Sequence, residues 1–500
     1  MVIYSKSLAI RSMFDGLARL FDRKKNISMI AGDPKAAVMF LFWPLLLSYI
    51  VVAVNGYLGA FWVSMLGAEA ASAVNAMMDI YLAVASVGAG IGVASAVTIA
   101  FHLGAGDQVR ANSLASHSII LCFILWIVLG LLMFFFTGSF IVALGIEELK
   151  DYCLDYITPL MVCNVVLLLN GALCGILRAE GAAAKATVAT LLCVTGGIFD
   201  PLFIFGLDLG VAGSAWGTIA GTVVSTGYLL YLFHSDSTVV KISLRNFRLE
   251  ASILKEHMKV GVPYCIQTTV RRFSNFLDKV IVIAIAGGIF GSATIAVYAL
   301  PWTYVHMLEC LGMAFGAAMI PVMSYNIGRR MKDHATEAFQ FTLKKALPPT
   351  IIISAGLAIF SGPLIAILAT QESLYVYRDT MVMFMVMISV AGPFYTVRDI
   401  SYSALQTMRK NNLCVLIVFF QIALKLSTMY AGGLIFGYMG LMVFSVISNC
   451  IGSAVAYVCA RHYWKKFDVD SIVLTATEKT IMDVLESIWD KLLMKNSEES

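Results

Sequence analysis

About twelve runs of apolar residues divide the chain, and each reaches the roughly 20 residues a helix needs to cross about 30 Å of hydrocarbon. They lie at 37–62, 70–101, 116–144, 152–177, 184–205, 210–233, 260–287, 292–323, 347–368, 381–405, 413–436 and 440–463. Such runs constrain the fold more than any other feature. A backbone exposed to lipid must satisfy its own hydrogen bonds, so the runs are predicted to be helices. A membrane barrel would show short alternating strands instead. The expected fold class is all-α integral membrane, with about twelve transmembrane helices.

Composition agrees. Of 500 residues, 59% are hydrophobic and 13% charged, against about half and about a quarter in soluble chains. The net charge of +4 gives no nucleic-acid footprint. Ten cysteines include no CxxC pair, and Cys122, Cys163, Cys193, Cys310 and Cys450 sit inside apolar runs. Buried cysteine behaves as a small hydrophobe, so neither a disulfide framework nor a metal site is expected. There is no GxxxxGK[ST] phosphate loop and no catalytic triad order, so neither an enzyme nor a cofactor is expected.

Basic residues set orientation. They follow every second run: Arg110; Arg178 and Lys185; Lys241, Arg245 and Arg248; Arg329, Arg330 and Lys332; Arg409 and Lys410; Lys465 and Lys466. The opposite loops carry mainly acid, at Glu69, Glu147, Glu148, Asp151, Asp208 and Glu372, with Lys150 and Arg378 as exceptions. Both termini are therefore expected in the cytoplasm. Residues 1–31 carry Lys6, Arg11 and Arg19, with Ile10, Phe14, Leu17 and Phe21 at helical spacing. They read as an interfacial helix or a frayed tail, not a cleavable signal peptide. Residues 32–235 are expected to form an N-lobe, 236–257 a cytoplasmic linker and 258–465 a C-lobe. Residues 466–500 form a tail whose Ile481, Val484, Leu485, Ile488 and Leu492 make one apolar stripe.

The two halves repeat. His102-Leu-Gly104-Ala-Gly106-Asp107 follows the second run, and Asn326-Ile-Gly328-Arg329-Arg330 follows the eighth. Leu177-Arg178-Ala-Glu180-Gly181 and Thr407-Met-Arg409-Lys410 follow the fourth and tenth. Each reads as an apolar run, a turn with charges, and a new helix. The offset is about 225 residues, and parallel repeats of this kind are a plan of secondary transporters.

These motifs, together with Gly32-Asp-Pro34-Lys35 before Pro44, Asp200-Pro201-Leu-Phe-Ile-Phe205 before Gly210-Val-Ala-Gly213, and Pro321-Val-Met-Ser324-Tyr325-Asn326, resemble the multidrug and toxic compound extrusion (MATE) family, in its prokaryotic DinF-like branch. The likeness covers roughly residues 30–465 and rests on the order and spacing of the motifs. It implies two six-helix lobes facing a cleft, and export of bulky, often cationic compounds against inward flow of Na⁺ or H⁺.

Ionisable groups inside a membrane are costly, and each is a functional hypothesis. Asp200 is the foremost. It lies in the apolar fifth run, ahead of the helix-loosening Pro201. A carboxylate withdrawn from water favours a proton or a bound cation, and the matching family residue is a coupling acid. The competing reading is a cap on a helix kink. Thr218 stands where the family places a coordinating threonine, although a threonine bonding its own helix is the ordinary case. Two expected oxygens are missing: Gly59 replaces a first-span Asp and Gly196 an Asn. Asn55, one turn before Gly59, is placed to compensate. A site holding one protonatable carboxylate survives this loss better than a Na⁺ site at Asp200.

The second half holds more charge. Arg271, Asn275 and Asp278 share one face of the seventh run, and Arg272 and Lys279 another. His306 and Glu309 follow in the eighth, Arg398 and Asp399 in the tenth, and Lys425 in the eleventh. They pair internally, for example Arg271 or Lys279 with Asp278, or they line a cavity for substrate or protons. By the repeat offset, Lys425 falls near the counterpart of Asp200 and Asp278 near that of Asn55. Four methionines at 381, 383, 385 and 387 suit adaptable binding or ordinary packing.

The expected activity is cation-coupled (H⁺ or Na⁺) antiport exporting an amphipathic drug or toxic small molecule by alternating access, from a monomer in the cell membrane. The alternatives are a flippase for lipid-linked precursors or polysaccharides, an organic-anion exporter using the basic C-lobe cavity, and a sensor that has kept the fold.

Overall fold

Asp33 and Pro34 open the first long helix. The Asp33 carboxylate accepts from Ala36 N at 3.0 Å, and Pro34 takes the first helical position, where no N–H is needed. The structure, a computed structural model, describes residues 23–143, 146–235, 237–243, 249–290, 293–369 and 372–469. The expected interfacial helix at Ile10–Phe21, the linker residues Arg245 and Arg248, and the apolar stripe at 481–492 lie outside the described residues.

Sixteen α-helices follow in chain order: α1 (Arg23–Ala31), α2 (Pro34–Ser64), α3 (Ala68–Gly104), α4 (Gln108–Ala143), α5 (Lys150–Val162), α6 (Asn164–Ala179), α7 (Ala183–Pro201), α8 (Gly210–His234), α9 (Ala251–Phe290), α10 (Thr294–Gly328), α11 (Lys332–Ile359), α12 (Ser361–Leu368), α13 (Glu372–Tyr375), α14 (Arg378–Val390), α15 (Gly392–Thr407) and α16 (Asn411–Lys466). No strand occurs among the described residues. Three pairs are single spans broken at a bend: α5 with α6 at 52°, α11 with α12 at 71°, and α14 with α15 at 43°. Straight, α16 would run about 84 Å, far beyond a bilayer. Gly437 breaks it with φ 62° and ψ −151°, so it supplies two spans. With α2, α3, α4, α7, α9 and α10 these make eleven crossings among the described residues, and α8, 25 residues long, has the length for a twelfth.

The halves meet where α2 and α3 pack on α9 and α10. Ala37, Leu41 and Leu45 of α2 share one core with Phe315, Met319 and Val322 of α10, and the Phe42 and Phe315 rings stack at 3.9 Å. Inside the first half, α3 and α6 cross through Gly88 and Gly92 against Gly171 and Gly175. A methyl at Gly92, Gly171 or Gly175 would enter the opposing backbone, and one at Gly88 would crowd Leu168. This is the small-residue contact by which lipid-embedded helices approach closely.

Four turns at one end of the bundle are built alike. Asp107, Ala182, Met331 and Lys410 each donate a backbone N–H to the carbonyl five residues earlier, at 2.8–2.9 Å, closing the same helix C-cap. The residue before each has positive φ: Gly106 (79°), Gly181 (80°), Arg330 (62°) and Arg409 (59°). The sequence motif is thus two different devices. In the second half the left-handed position is an arginine. Gly328 serves packing instead: it lies against the Phe101 carbonyl, while Gly104 lies against the Tyr325 carbonyl. The repeat glycines interlock across the two halves.

Candidate functional site

In the first half, α7 carries Asp200, which is 3% exposed. Its Oδ1 is buried without a hydrogen-bond partner among the described residues. Glycines make room for it. A Cβ on Gly217 of α8 would collide with Oδ1, and one on Gly59 of α2 would stand 3.8 Å from Oδ2. The missing first-span side chain therefore leaves space facing this carboxylate. Asn55 reaches the same strip of α7, with its Oδ1 against Gly197 and likewise buried without a partner. Two unpartnered side-chain oxygens approach one stretch of helix, and buried oxygens of this kind call for a hydrogen-bond donor, a water or a cation. Thr218, next to Gly217, lines a cavity of about 20 Å³ with Tyr81 and Asn164, and its carbonyl accepts from Thr222 Oγ1 at 2.8 Å.

The second half is built around ion pairs. Lys425 of α16 donates to Asp278 Oδ2 of α9, with both side chains buried. The partner of Asp278 is thus neither Arg271 nor Lys279, because a lysine 147 residues away faces it directly. Arg398 joins two acids, with Nη2 3.1 Å from Glu309 Oε1 and Nε 3.0 Å from Asp399 Oδ1. His306 Nδ1 lies 3.0 Å from Glu309 Oε2.

These groups border a cavity of about 430 Å³ in the second half. Arg271, Asn275, Asp278 and Lys279 of α9, which the sequence placed on two faces, line it together with Glu309, Arg398 and Lys425. Tyr298, Trp302 and Tyr395 form an aromatic wall. Gln421 and Asn449, hydrogen-bonded to each other at 3.0 Å, were not singled out by sequence, because an uncharged amide in an apolar run gives little signal. A second cavity, of about 130 Å³, lies between the halves. Arg178 and Tyr49 line it from the first half, and Arg271, Asp399 and Tyr402 from the second. Arg271 borders both spaces, its guanidinium 5.6 Å from the Tyr402 ring centroid. Sequence placed Arg178 among the loop charges, yet it faces the cleft. Met381 and Met385 are fully buried in the second-half core, which settles packing as their role.

The end with the four turns is latched. Glu256 of α9 accepts from Arg409 at 2.7 Å and Arg110 at 3.3 Å, and lies 3.0 Å from His102 Nε2. One carboxylate thus ties α3 and α4 to the turn after α15. Sequence hid this residue in a polar linker.

A family model described as MatE matches residues 44–199 and 268–431, more than half of the chain. The chain belongs to the MatE family. It is a multi-pass membrane protein with the helical architecture of that family. It is 23% identical over 347 residues to a multidrug export protein, MepA, of Staphylococcus haemolyticus, covering 67% of this chain and 75% of that one. It is 26% identical over 295 residues to the MepA of Staphylococcus saprophyticus, covering 58% and 64%. The fold matches a MATE structure in complex with MaL6 at a TM-score of 0.84, with 23% identity, 88% of this chain and 99% of that one covered. It matches equally, at 0.84 and 23% identity over 88% and 98%, a MOP superfamily transporter from Pyrococcus furiosus described as having a binding pocket of reverse polarity that suggests a different function.

Proposed function

We propose that this MatE protein is a secondary active exporter of amphipathic small molecules, coupled to inward movement of H⁺ or Na⁺ and working by alternating access. The observation that carries this reading is Asp200: a buried carboxylate with an unpartnered oxygen, held between glycines, next to the unpartnered Asn55 oxygen. Such a group exchanges a proton or cation when its surroundings change. With few side-chain oxygens converging there, H⁺ is the better-matched ion. The MepA relatives, named as multidrug export proteins, support the direction and the breadth of substrate.

The basic loops put the four-turn end, with its Glu256 latch, in the cytoplasm of a cell whose plasma membrane holds the chain, with both termini on that side. The interlocked Gly104 and Gly328 then form a closed inner gate, and substrate leaves from the other face. A monomer contains both halves and is the working unit. One unit charge moving through 100 mV supplies about 2.3 kcal/mol, a concentration ratio of about fifty. In proteoliposomes, Asp200→Asn is expected to abolish export driven by a pH or Na⁺ gradient while the protein stays folded. Full transport by that variant overturns the coupling role.

A further inference from the structure

Arg271, Lys279, Arg398 and Lys425 line the second-half cavity against two carboxylates, Asp278 and Glu309, with Asp399 paired to Arg398 beside it, which leaves one more cation than acid. Glu309 is engaged through both oxygens, by Arg398 and His306, and Asp278 through Oδ2 by Lys425, its Oδ1 being buried without a partner among the described residues. Lys279 lines the same space, is exposed to it and makes no ion pair among the described residues. The Arg271 guanidinium lies over the Tyr402 ring, near Asp399 and Glu309, and makes no direct ion pair with either among the described residues. Tyr298, Trp302 and Tyr395 border the same cavity, the Tyr395 ring lying under the Arg398 guanidinium at 5.2 Å, and the Tyr395 hydroxyl is buried without a hydrogen-bond partner among the described residues. A ligand that fits carries negative charge at one end and a ring system at the other.

We propose that this cavity binds an amphipathic organic anion, its carboxylate, sulfonate or phosphate head placed between Lys279 and Arg271 and drawing Lys425 away from Asp278. The proposal deepens the exporter reading by naming a substrate class. The geometry of the pair gives Lys425 two partners in turn: Asp278 when the cavity is empty, and the head group when it is filled. Cationic substrates meet repulsion here, which no rearrangement of the engaged carboxylates relieves.

The test is equilibrium binding to the purified full chain in detergent, without any ion gradient, so that loss of coupling at Asp200 does not enter the measurement. The probes are fluorescein and rhodamine 123, which share a ring system and differ in charge. Fluorescein is expected to bind saturably and at least tenfold tighter than rhodamine 123. Lys279→Gln is expected to weaken fluorescein at least fivefold and leave rhodamine 123 unchanged or stronger. Asp278→Asn, which releases Lys425, is expected to strengthen fluorescein several-fold, and fluorescein is expected to raise its melting temperature more than that of the unaltered protein. Should Asp278→Asn fail to fold, Lys279→Gln alone decides. A second arm uses phosphatidylcholine vesicles with a fluorescent phosphatidic acid. Competition by that lipid at concentrations equal to fluorescein overturns a soluble anion in favour of a lipid head group. Equal binding of the two dyes, or a Lys279→Gln protein that binds fluorescein normally, overturns the proposal.

Discussion

Lys425 and Asp278 make a direct ion pair in the second half at positions corresponding, through the repeat, to Asp200 and Asn55 in the first. In one half the buried acid has an unpartnered oxygen and no ion pair among the described residues. In the other, the acid also has one unpartnered oxygen, but its second oxygen is paired to a lysine. The two halves thus differ in whether the buried carboxylate carries its own cation.

Breaking that pair from one side is expected to be costly. Lys425→Met leaves the Asp278 carboxylate buried without its counter-charge, at about 3–5 kcal/mol. The double change Asp278→Leu with Lys425→Met removes both charges and should recover most of the loss. Thermal unfolding in detergent checks this. A double variant no more stable than the single one would contradict it.

Gly217 is expected to be as important for coupling as Asp200 itself. A methyl at Gly217 takes the space of the Asp200 carboxylate, an overpacking of about 1–3 kcal/mol. Gly217→Ala should fold and lose ion-driven export at least tenfold. Gly227→Ala, on the same helix with nothing near its added methyl, is the control. Normal transport by Gly217→Ala would show that the carboxylate works equally well displaced.

The Glu256 latch should bias the cycle. Glu256→Gln weakens its ion pairs with Arg110 and Arg409, partly exposed and worth up to about 1 kcal/mol each. The population open at that end then rises up to roughly thirtyfold. Labelling of Ala96→Cys by an impermeant maleimide, in a background without other reactive thiols, reads this opening. Ala96 is buried and lines the cleft. An unchanged labelling rate would remove the latch from the gate.

Gly92→Val should destabilise the first half by about 1–3 kcal/mol, because its side chain meets the Gly171 backbone across the α3–α6 crossing. Melting of the variant tests it, and a melting temperature matching the unaltered protein would argue against the close approach.

What was legible beforehand was whatever depends on neighbours in sequence. Apolar runs marked the membrane-spanning helices, because crossing hydrocarbon is a demand on each segment by itself. The repeat was visible, and with it the correspondence of Lys425 to Asp200. Asp200 and Asn55 stood out because a polar group in an apolar run is expensive wherever it lies. The partner of Asp278 was not legible, nor the turning of Arg178 toward the cleft, nor the latch on Glu256. A helix face says which residues travel together but not which distant residue they meet, and a loop charge gives no sign of being drawn into a gate. The sequence by itself determined that this chain must fold in a membrane as two similar halves. Only the tertiary structure decided which charges pair and which stay without an ion pair, because those pairings form between helices whose separation along the chain carries no energetic record of their contact.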